Sequence, residues 1–458
     1  MRSSFIFKEQ VLAARQLLRW FLLVAAMSIA IGAAVAFFLW ALQKSIHLRF
    51  QYPWLLYFLP LAGVVIYFLY NLVGKSAEKG NNLILEQIQM EGAEVPKRMA
   101  PLILVTTLIT HLFGGSAGRE GTAVQIGGSI ASGFNGLFRL DAAERKMMLT
   151  AGMAAGFGAV FGTPVTGAIF ALEVLAMGKI KYHSLIPALL ASVIADATVS
   201  ALQLKHQHYR IDDLPLSADY FSTFLHFDVL LTLKVVLAAI AFGFASYLFT
   251  TMIQEVKGLS NRVFKHRWMI PFAGGLLIII LAQTLGKPDY LSLGVDPEYT
   301  GAVTLQSAFH LGGADGFSWF WKTIFTAVTI GTGFKGGEVT PLFYIGATLG
   351  NTLSGLLHAP VSLFAALGFI AVFSGATNTP LACTMMGVEL FGGEHVLFFA
   401  LACFVAYLFS GHTGIYGSQQ LGVPKIGSLP SDSAASVADA SRRNGYLHEK
   451  LSRYFHIK

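Results

Sequence analysis

Three glycine-marked turns in this chain combine polar or acidic side chains with the start of an apolar helical run. They are Gly80-Asn81-Asn82-Leu83-Ile84, Gly118-Arg119-Glu120-Gly121-Thr122 and Gly336-Gly337-Glu338-Val339-Thr340-Pro341. The first N–H groups of a helix have no intrahelical acceptor, and together they carry roughly half a positive charge. Such ends hold an anion without the tight grip of a row of lysines, and glycine lets the backbone come close to it. A carboxylate at the same place, as at Glu120, can occupy the anion's position itself and vacate it when protonated, so one group can couple proton movement to anion movement.

The surrounding sequence belongs in lipid. Of its 458 residues 54% are hydrophobic and only 12% are charged, with a mean hydropathy of +0.61, against roughly 25% charged residues in an average soluble domain. Apolar stretches at Phe21–Leu42, Trp54–Leu72 and Val229–Met252 are long enough to cross a bilayer, and a shorter run lies at Val396–Ser410. The net charge of +7 comes from basic residues beside those stretches, such as Lys8, Arg15, Arg19, Lys75, Lys79, Lys179 and Lys181. That placement fits the positive-inside bias rather than a nucleic-acid surface. The first apolar run lacks a small-residue cleavage site and reads as a retained helix. Cys383 and Cys403 lie inside apolar segments and read as reduced packing residues.

Forty-seven glycines break several apolar runs, notably Gly114–Gly136 and Gly331–Gly350. Irregular backbone at membrane depth is tolerated where protein or a polar cavity satisfies it. A repeat reinforces this reading. GTPVTGAIFALEV contains Pro164 and Glu173, and NTPLACTMMGVEL contains Pro380 and Glu389, each pair 216 residues apart (380 − 164, 389 − 173). GREGT and GGEVTP are rough counterparts, setting Glu120 against Glu338 and Thr122 against Thr340. Interrupted segments at matching positions of two halves point to a midplane binding site, whether the halves are inverted or parallel. The division expected is residues 1–205, a connector at 206–224, residues 225–423, and a tail at 424–458. In that tail Ser428–Ser441 reads as a flexible linker and 445–458 as a surface amphipathic helix.

These motifs, in order from about Phe21 to Gly422, resemble the CLC family of chloride channels and anion/proton exchangers. Two turns depart from its chloride-transporting pattern. Asn81 stands where a serine coordinates the anion, and Gly337-Glu338-Val339-Thr340-Pro341 stands in the second turn; both are similar to the fluoride/proton antiporter clade. The resemblance implies an all-α membrane bundle with inverted halves and many broken helices, a homodimer with one pathway per subunit, and exchange of fluoride, or else chloride, for protons. It implies Glu120 as the gating glutamate, with Glu338 as a second proton acceptor or gate. Asn81, Gly118, Arg119, Gly121, Gly337, Val339, Thr340 and Tyr416 would line the anion site, the amides of Glu338 and Val339 donating to the ion. Blander roles stay open: hydrogen bonding for Glu338, helix capping for Asn81 and Thr340, and core packing for Tyr416. Asn82 reads as a cap alone.

Val174 takes the place of the proton-transfer glutamate of many relatives, and Glu173 and Glu389 read as paired structural or pathway-lining carboxylates. The expected location is a bacterial inner or plasma membrane, spanned many times, with both termini cytoplasmic. His111, His183 and His412 lack metal-ligand spacing, and no HExxH, GxSxG or P-loop occurs. No cofactor, metal or nucleic acid is implied. An intramembrane enzyme using Glu120 and Glu338 as an acid/base pair would lack a nucleophile and a cofactor motif. A scaffold would leave those carboxylates without a purpose.

Overall fold

The computed structural model describes residues 2–90, 94–204, 206–207, 209–211, 229–425 and 436–439. Its elements in order are α1 (Arg2–Gln51), α2 (Leu59–Leu69), α3 (Asn81–Gln89), α4 (Met99–Leu112), α5 (Glu120–Phe138), α6 (Ala142–Phe161), α7 (Pro164–Glu173), β1 (Ala176–Met177) and α8 (Leu185–Ala201). Then come α9 (Val229–Val263), α10 (Met269–Leu285), α11 (Ser318–Gly331), α12 (Val339–Leu357), α13 (Val361–Thr377), α14 (Pro380–Phe391), α15 (Val396–Phe409) and β2 (Gln420–Leu421). Among the described residues four helical stretches, Glu9–Gln51, Pro53–Gln89, Tyr182–Ala201 and Val229–Val263, are long and apolar enough to cross a bilayer. The other apolar helices, such as Met99–Leu112 and Val396–Phe409, are shorter.

The repeat is visible in helix lengths. Helices α4 and α11 both have 14 residues, and α5 and α12 both have 19. Each of the latter two ends on a left-handed residue, Arg139 and His358 respectively. Their starts are 219 residues apart (339 − 120), whereas Pro164 and Pro380 at the starts of α7 and α14 are 216 apart. The difference arises because α13, with 17 residues, is three shorter than α6, with 20. This corrects one sequence expectation: by helix start, Glu120 stands opposite Val339 rather than Glu338, and Arg119 stands opposite Glu338.

Glu173 and Glu389 show how the halves meet. The Glu389 carboxylate at the end of α14 accepts from the N–H groups of Val165 (2.9 Å) and Thr166 (2.8 Å) at the start of α7. The Glu173 carboxylate at the end of α7 accepts from those of Leu381 (3.0 Å) and Ala382 (2.8 Å) at the start of α14. Each half thus caps a helix of the other with a negative charge at its positive end. Reciprocal capping requires α7 and α14 to run antiparallel, so the halves are inverted.

An aromatic core joins the halves: Phe157 stacks on Phe170 at 4.4 Å in one half and Phe343 on Phe369 at 3.9 Å in the other, and across them Phe161 meets Phe343 at 5.3 Å and Phe170 stacks on Phe373 at 5.8 Å. Two buried cations fasten the loop between α10 and α11. Arg49 pairs with Glu298, and the Lys322 ammonium donates to the carbonyls of Tyr290 (3.1 Å) and Ser292 (2.9 Å).

Part of the tail departs from the linker expectation. Residues 436–439 return to the body, where the Val437 N–H donates to the Gln419 carbonyl (2.9 Å) and that of Ala438 to Gly417 (3.1 Å). Val437 is buried with Met177 and Leu421, and burial of that one side chain ties the segment down. The remaining linker residues 428–435 and 440–441, the amphipathic stretch 445–458, and most of the expected connector (208 and 212–224) lie outside the described residues.

Candidate functional site

The site forms where the turns before α5 and α12 cross. Gly118 and Gly337 make an antiparallel bridge, with Gly118 N–H donating to Gly337 O (2.5 Å) and Gly337 N–H to Gly118 O (2.7 Å). A methyl group on Gly337 would stand 2.7 Å from the Gly121 nitrogen, so a larger residue there would force the turns apart. The amides of Gly118 and Gly337 therefore serve each other. They stand at the crossing as backbone that joins the two turns.

Glu120 is the first residue of α5 and is buried, but its carboxylate belongs to the other half. Oε2 accepts from the Thr340 N–H (3.0 Å) and from the Arg119 N–H (3.1 Å), and the Thr340 hydroxyl donates to Oε1. The acid therefore sits on the first turn of α12, where helix geometry favours an anion. The Arg119 side chain approaches Oε1 only to 3.7 Å, so the backbone and Thr340 hold the carboxylate. Thr340 caps nothing in its own helix; its hydroxyl is spent on Glu120.

Glu338 is the N-cap residue of α12, and its side chain makes no capping bond. The amides of Glu338 and Val339 have no backbone acceptor among the described residues, consistent with the four orphan donors of a helix start. Asn81 is the first residue of α3, behind Gly80, whose φ of +57° favours glycine. It makes no side-chain cap. The Asn81 amide nitrogen would stand 2.9 Å from a methyl group on Gly121, which places it over the α5 start, and its Oδ1 is buried without a partner. Tyr416 is buried, with its ring edge-on to Phe170 at 6.3 Å. Its loop is held by Ile415 N–H to Ala376 O (2.9 Å) and Ser418 N–H to Asn82 Oδ1 (2.9 Å). Asn82 thus ties α3 to the Tyr416 loop instead of capping α3.

The structure therefore gathers Glu120, Thr340, Arg119, Gly121, Gly337, Val339 and Asn81 around one crossing, with Glu338 and Tyr416 within electrostatic reach of each other. It also brings in residues that sequence reasoning missed. Gln125, one turn into α5, packs against Gly80 and leaves Oε1 buried without a partner. Phe343, three residues after Thr340, shares with Arg119, Glu120 and Tyr209 the lining of a small cavity. One signal lay in the spacing: Gln125 and Phe343 fall about one helical turn beyond Gly121 and Thr340, on the same faces.

These features define a membrane protein of two inverted halves in which an acid from one half occupies the helix N-terminal donors of the other. Residues 62–411 match the voltage gated chloride channel family, and the chain belongs to that family. It is 42% identical over 425 residues to a chloride/fluoride channel protein of Pseudomonas syringae pv. tomato, covering 92% of this chain and 91% of that protein. Its structure resembles that of a CLC-type fluoride/proton antiporter with a TM-score of 0.80 at 36% identity, over 88% of this chain and 98% of the other. A slow cyanobacterial chloride/proton antiporter shares the fold, with a TM-score of 0.69 at 18% identity over 86% of this chain and 94% of the other.

Proposed function

We propose that this protein exchanges fluoride for protons and so exports fluoride that has entered as the neutral acid. The observation that carries the reading is the seat of the Glu120 carboxylate on the Thr340 amide and hydroxyl. Because the acid uses an anion's donors, an anion reaches them only when Glu120 leaves, and protonation removes the charge that holds it there. Asn81 and the amides of Glu338 and Val339 act as fluoride donors, with Arg119, Gly121, Thr340 and Tyr416 forming the walls. A small anion is costly to dehydrate and needs such donors close by. Glu338 takes the proton on the other side of the crossing, in a chain where Val174 cannot.

The names of the relatives support fluoride as the cargo. The same proposal divides the chain into residues 1–205 and 225–423 with a connector at 206–224, places both termini in the cytoplasm, and pairs two subunits with one pathway each. The experiment is a liposome flux measurement with fluoride and pH electrodes. An outward fluoride gradient should drive protons inward against their own gradient, with chloride moving far more slowly. Fluoride flux without proton movement would make the protein a channel, and chloride flux as fast as fluoride would end the fluoride assignment.

A further inference from the structure

The segment beyond α8 brings a titratable pair to the cavity beside Glu120. His206, Gln207 and Tyr209 line that cavity together with Arg119 and Glu120. Their placement is fixed by contacts: the Gln207 amide donates to Asp296 Oδ1 (3.3 Å), the Tyr209 hydroxyl donates to Gln207 Oε1 (3.0 Å), and the Tyr209 ring stacks on Phe309 at 5.3 Å. The His206 ring lies on Gly162 at the end of α6, where a methyl group would stand 2.5 Å from its Cδ2. His206 Nε2 and Asp196 Oδ1 of α8 are 3.3 Å apart. They are close enough for an ion pair, yet neither has a hydrogen-bond partner among the described residues.

His206 also stands between two spaces. The cavity beside Glu120 has a volume of about 20 Å³, and a neighbouring one of about 100 Å³ borders α1. Arg119, Val160, His206 and Gln207 line both. The smaller has room for one water, and Arg119, Glu120, His206 and Gln207 supply the two to four polar partners that a buried water needs. The His206 and Asp196 side chains are 16% and 23% exposed, so the pair reaches the protein surface while Glu120 is buried. The charged and titratable groups around the ring are Asp196 from α8, Arg119 and Glu120 from the start of α5, Asp296 from the loop between α10 and α11, and Tyr209 from its own segment. Helices α1, α6 and α12 line the two cavities without a charged side chain. Outside Glu120, two carboxylates thus face one guanidinium, a balance that suits a passing proton better than an anion.

We infer that His206, seated beside Asp196, is a proton relay that carries protons between the protein surface and Glu120. The inference rests on the proton-exchange reading above and adds the group that loads the acid. His206 takes a proton from the wider cavity on a ring nitrogen, and the imidazolium forms beside the Asp196 carboxylate, which offsets its charge. The ring gives its proton to a water in the small cavity, and that water passes one of its own to the Glu120 carboxylate. The neutral acid then releases the Thr340 amide and hydroxyl to the anion. One proton has moved, ring and water are as they began, and only bonds to hydrogen have been made and broken. Arg119 lines the same cavities, but a guanidinium keeps its protons, whereas an imidazole both accepts and releases one.

The test compares wild type, His206→Gln and His206→Ala in liposomes, following proton-coupled fluoride release at neutral pH with and without imidazole at equal concentration on both sides. Both variants should lower the saturating rate on the order of tenfold, less than the roughly 100-fold or more that a positioned proton-transfer group contributes in catalysis, because water alone still reaches Glu120 slowly. The fluoride KM should not rise. Imidazole should restore His206→Ala by roughly threefold or more, since the truncation leaves a ring-sized gap on Gly162, and should do little for His206→Gln, whose side chain fills that gap. Should the His206 variants fail to fold, Asp196→Asn keeps the ring and should slow release by removing the charge that steadies the imidazolium. Wild-type rates in the folded variants, slow rates in His206→Ala that imidazole leaves unchanged, or a raised KM at an unchanged saturating rate would each overturn the relay while the exchange reading stands. A wild type that moves fluoride without protons would end the exchange reading and the relay with it.

Discussion

Replacing Glu120 by glutamine removes the charge of the occupant and leaves its size unchanged. In the wild type the carboxylate takes three hydrogen bonds, from the amides of Arg119 and Thr340 and from the Thr340 hydroxyl. A hydrogen bond to a charged group contributes about 1.5–3 kcal/mol, and one between neutral groups about 0.5–1.5 kcal/mol. The substitution therefore weakens the occupant's hold by roughly 1 kcal/mol per bond, about 3 kcal/mol in all. An anion competing for the same donors should then bind about 100-fold more tightly, at 1.4 kcal/mol per decade. The proton carried by the acid has no carrier in this variant. Calorimetric titration of purified Glu120→Gln with fluoride should show the tighter binding, with the wild type's gain in affinity toward acid pH abolished. In liposomes, a fluoride gradient should move protons no faster than the leak of protein-free vesicles. Uphill proton movement by Glu120→Gln, or fluoride affinity equal to that of the wild type, would refute the view that acid and anion compete for one place.

Three further outcomes follow from particular contacts. Glu173→Gln leaves one carboxamide oxygen for two helix-end amides and turns an N–H₂ toward the other, so it should destabilise the fold by about 1–3 kcal/mol; Glu389→Gln should do the same, and thermal unfolding in detergent would show both as a lower Tm. Gly337→Ala puts a methyl group 2.7 Å from the Gly121 nitrogen and should abolish fluoride flux, whereas Gly316→Ala, which meets no atom within 4 Å, should leave it intact in the same assay. Val437→Asp buries a carboxylate among Met177, Leu421 and Tyr407 and should release the returning tail segment. Limited proteolysis should then cut between 423 and 436 faster than in wild type, and fluoride flux should fall as the Tyr416 loop loses its bonds to Val437 and Ala438.

Residence in a membrane, an all-helical build, a duplication and the acid at 120 beside a helix start are legible in the residues alone. These are local properties: apolar runs of spanning length, glycines that break them, a proline and a glutamate recurring at one offset. Contacts between distant segments were decided by the tertiary structure. Glu120 lies on α5, yet its carboxylate lies on donors 220 residues away, and Gly118 and Gly337 spend their amides on each other. The register of the repeat was misread at Glu338 because α13 is three residues shorter than α6, which shows only when helix ends can be compared. Val437 gave no signal in a small, polar stretch. The physical reason is common to all of them. A local pattern reports whether a residue is buried or starts a helix, while the partner it meets is set by the inverted packing of two halves, an energy shared among contacts far apart in the chain.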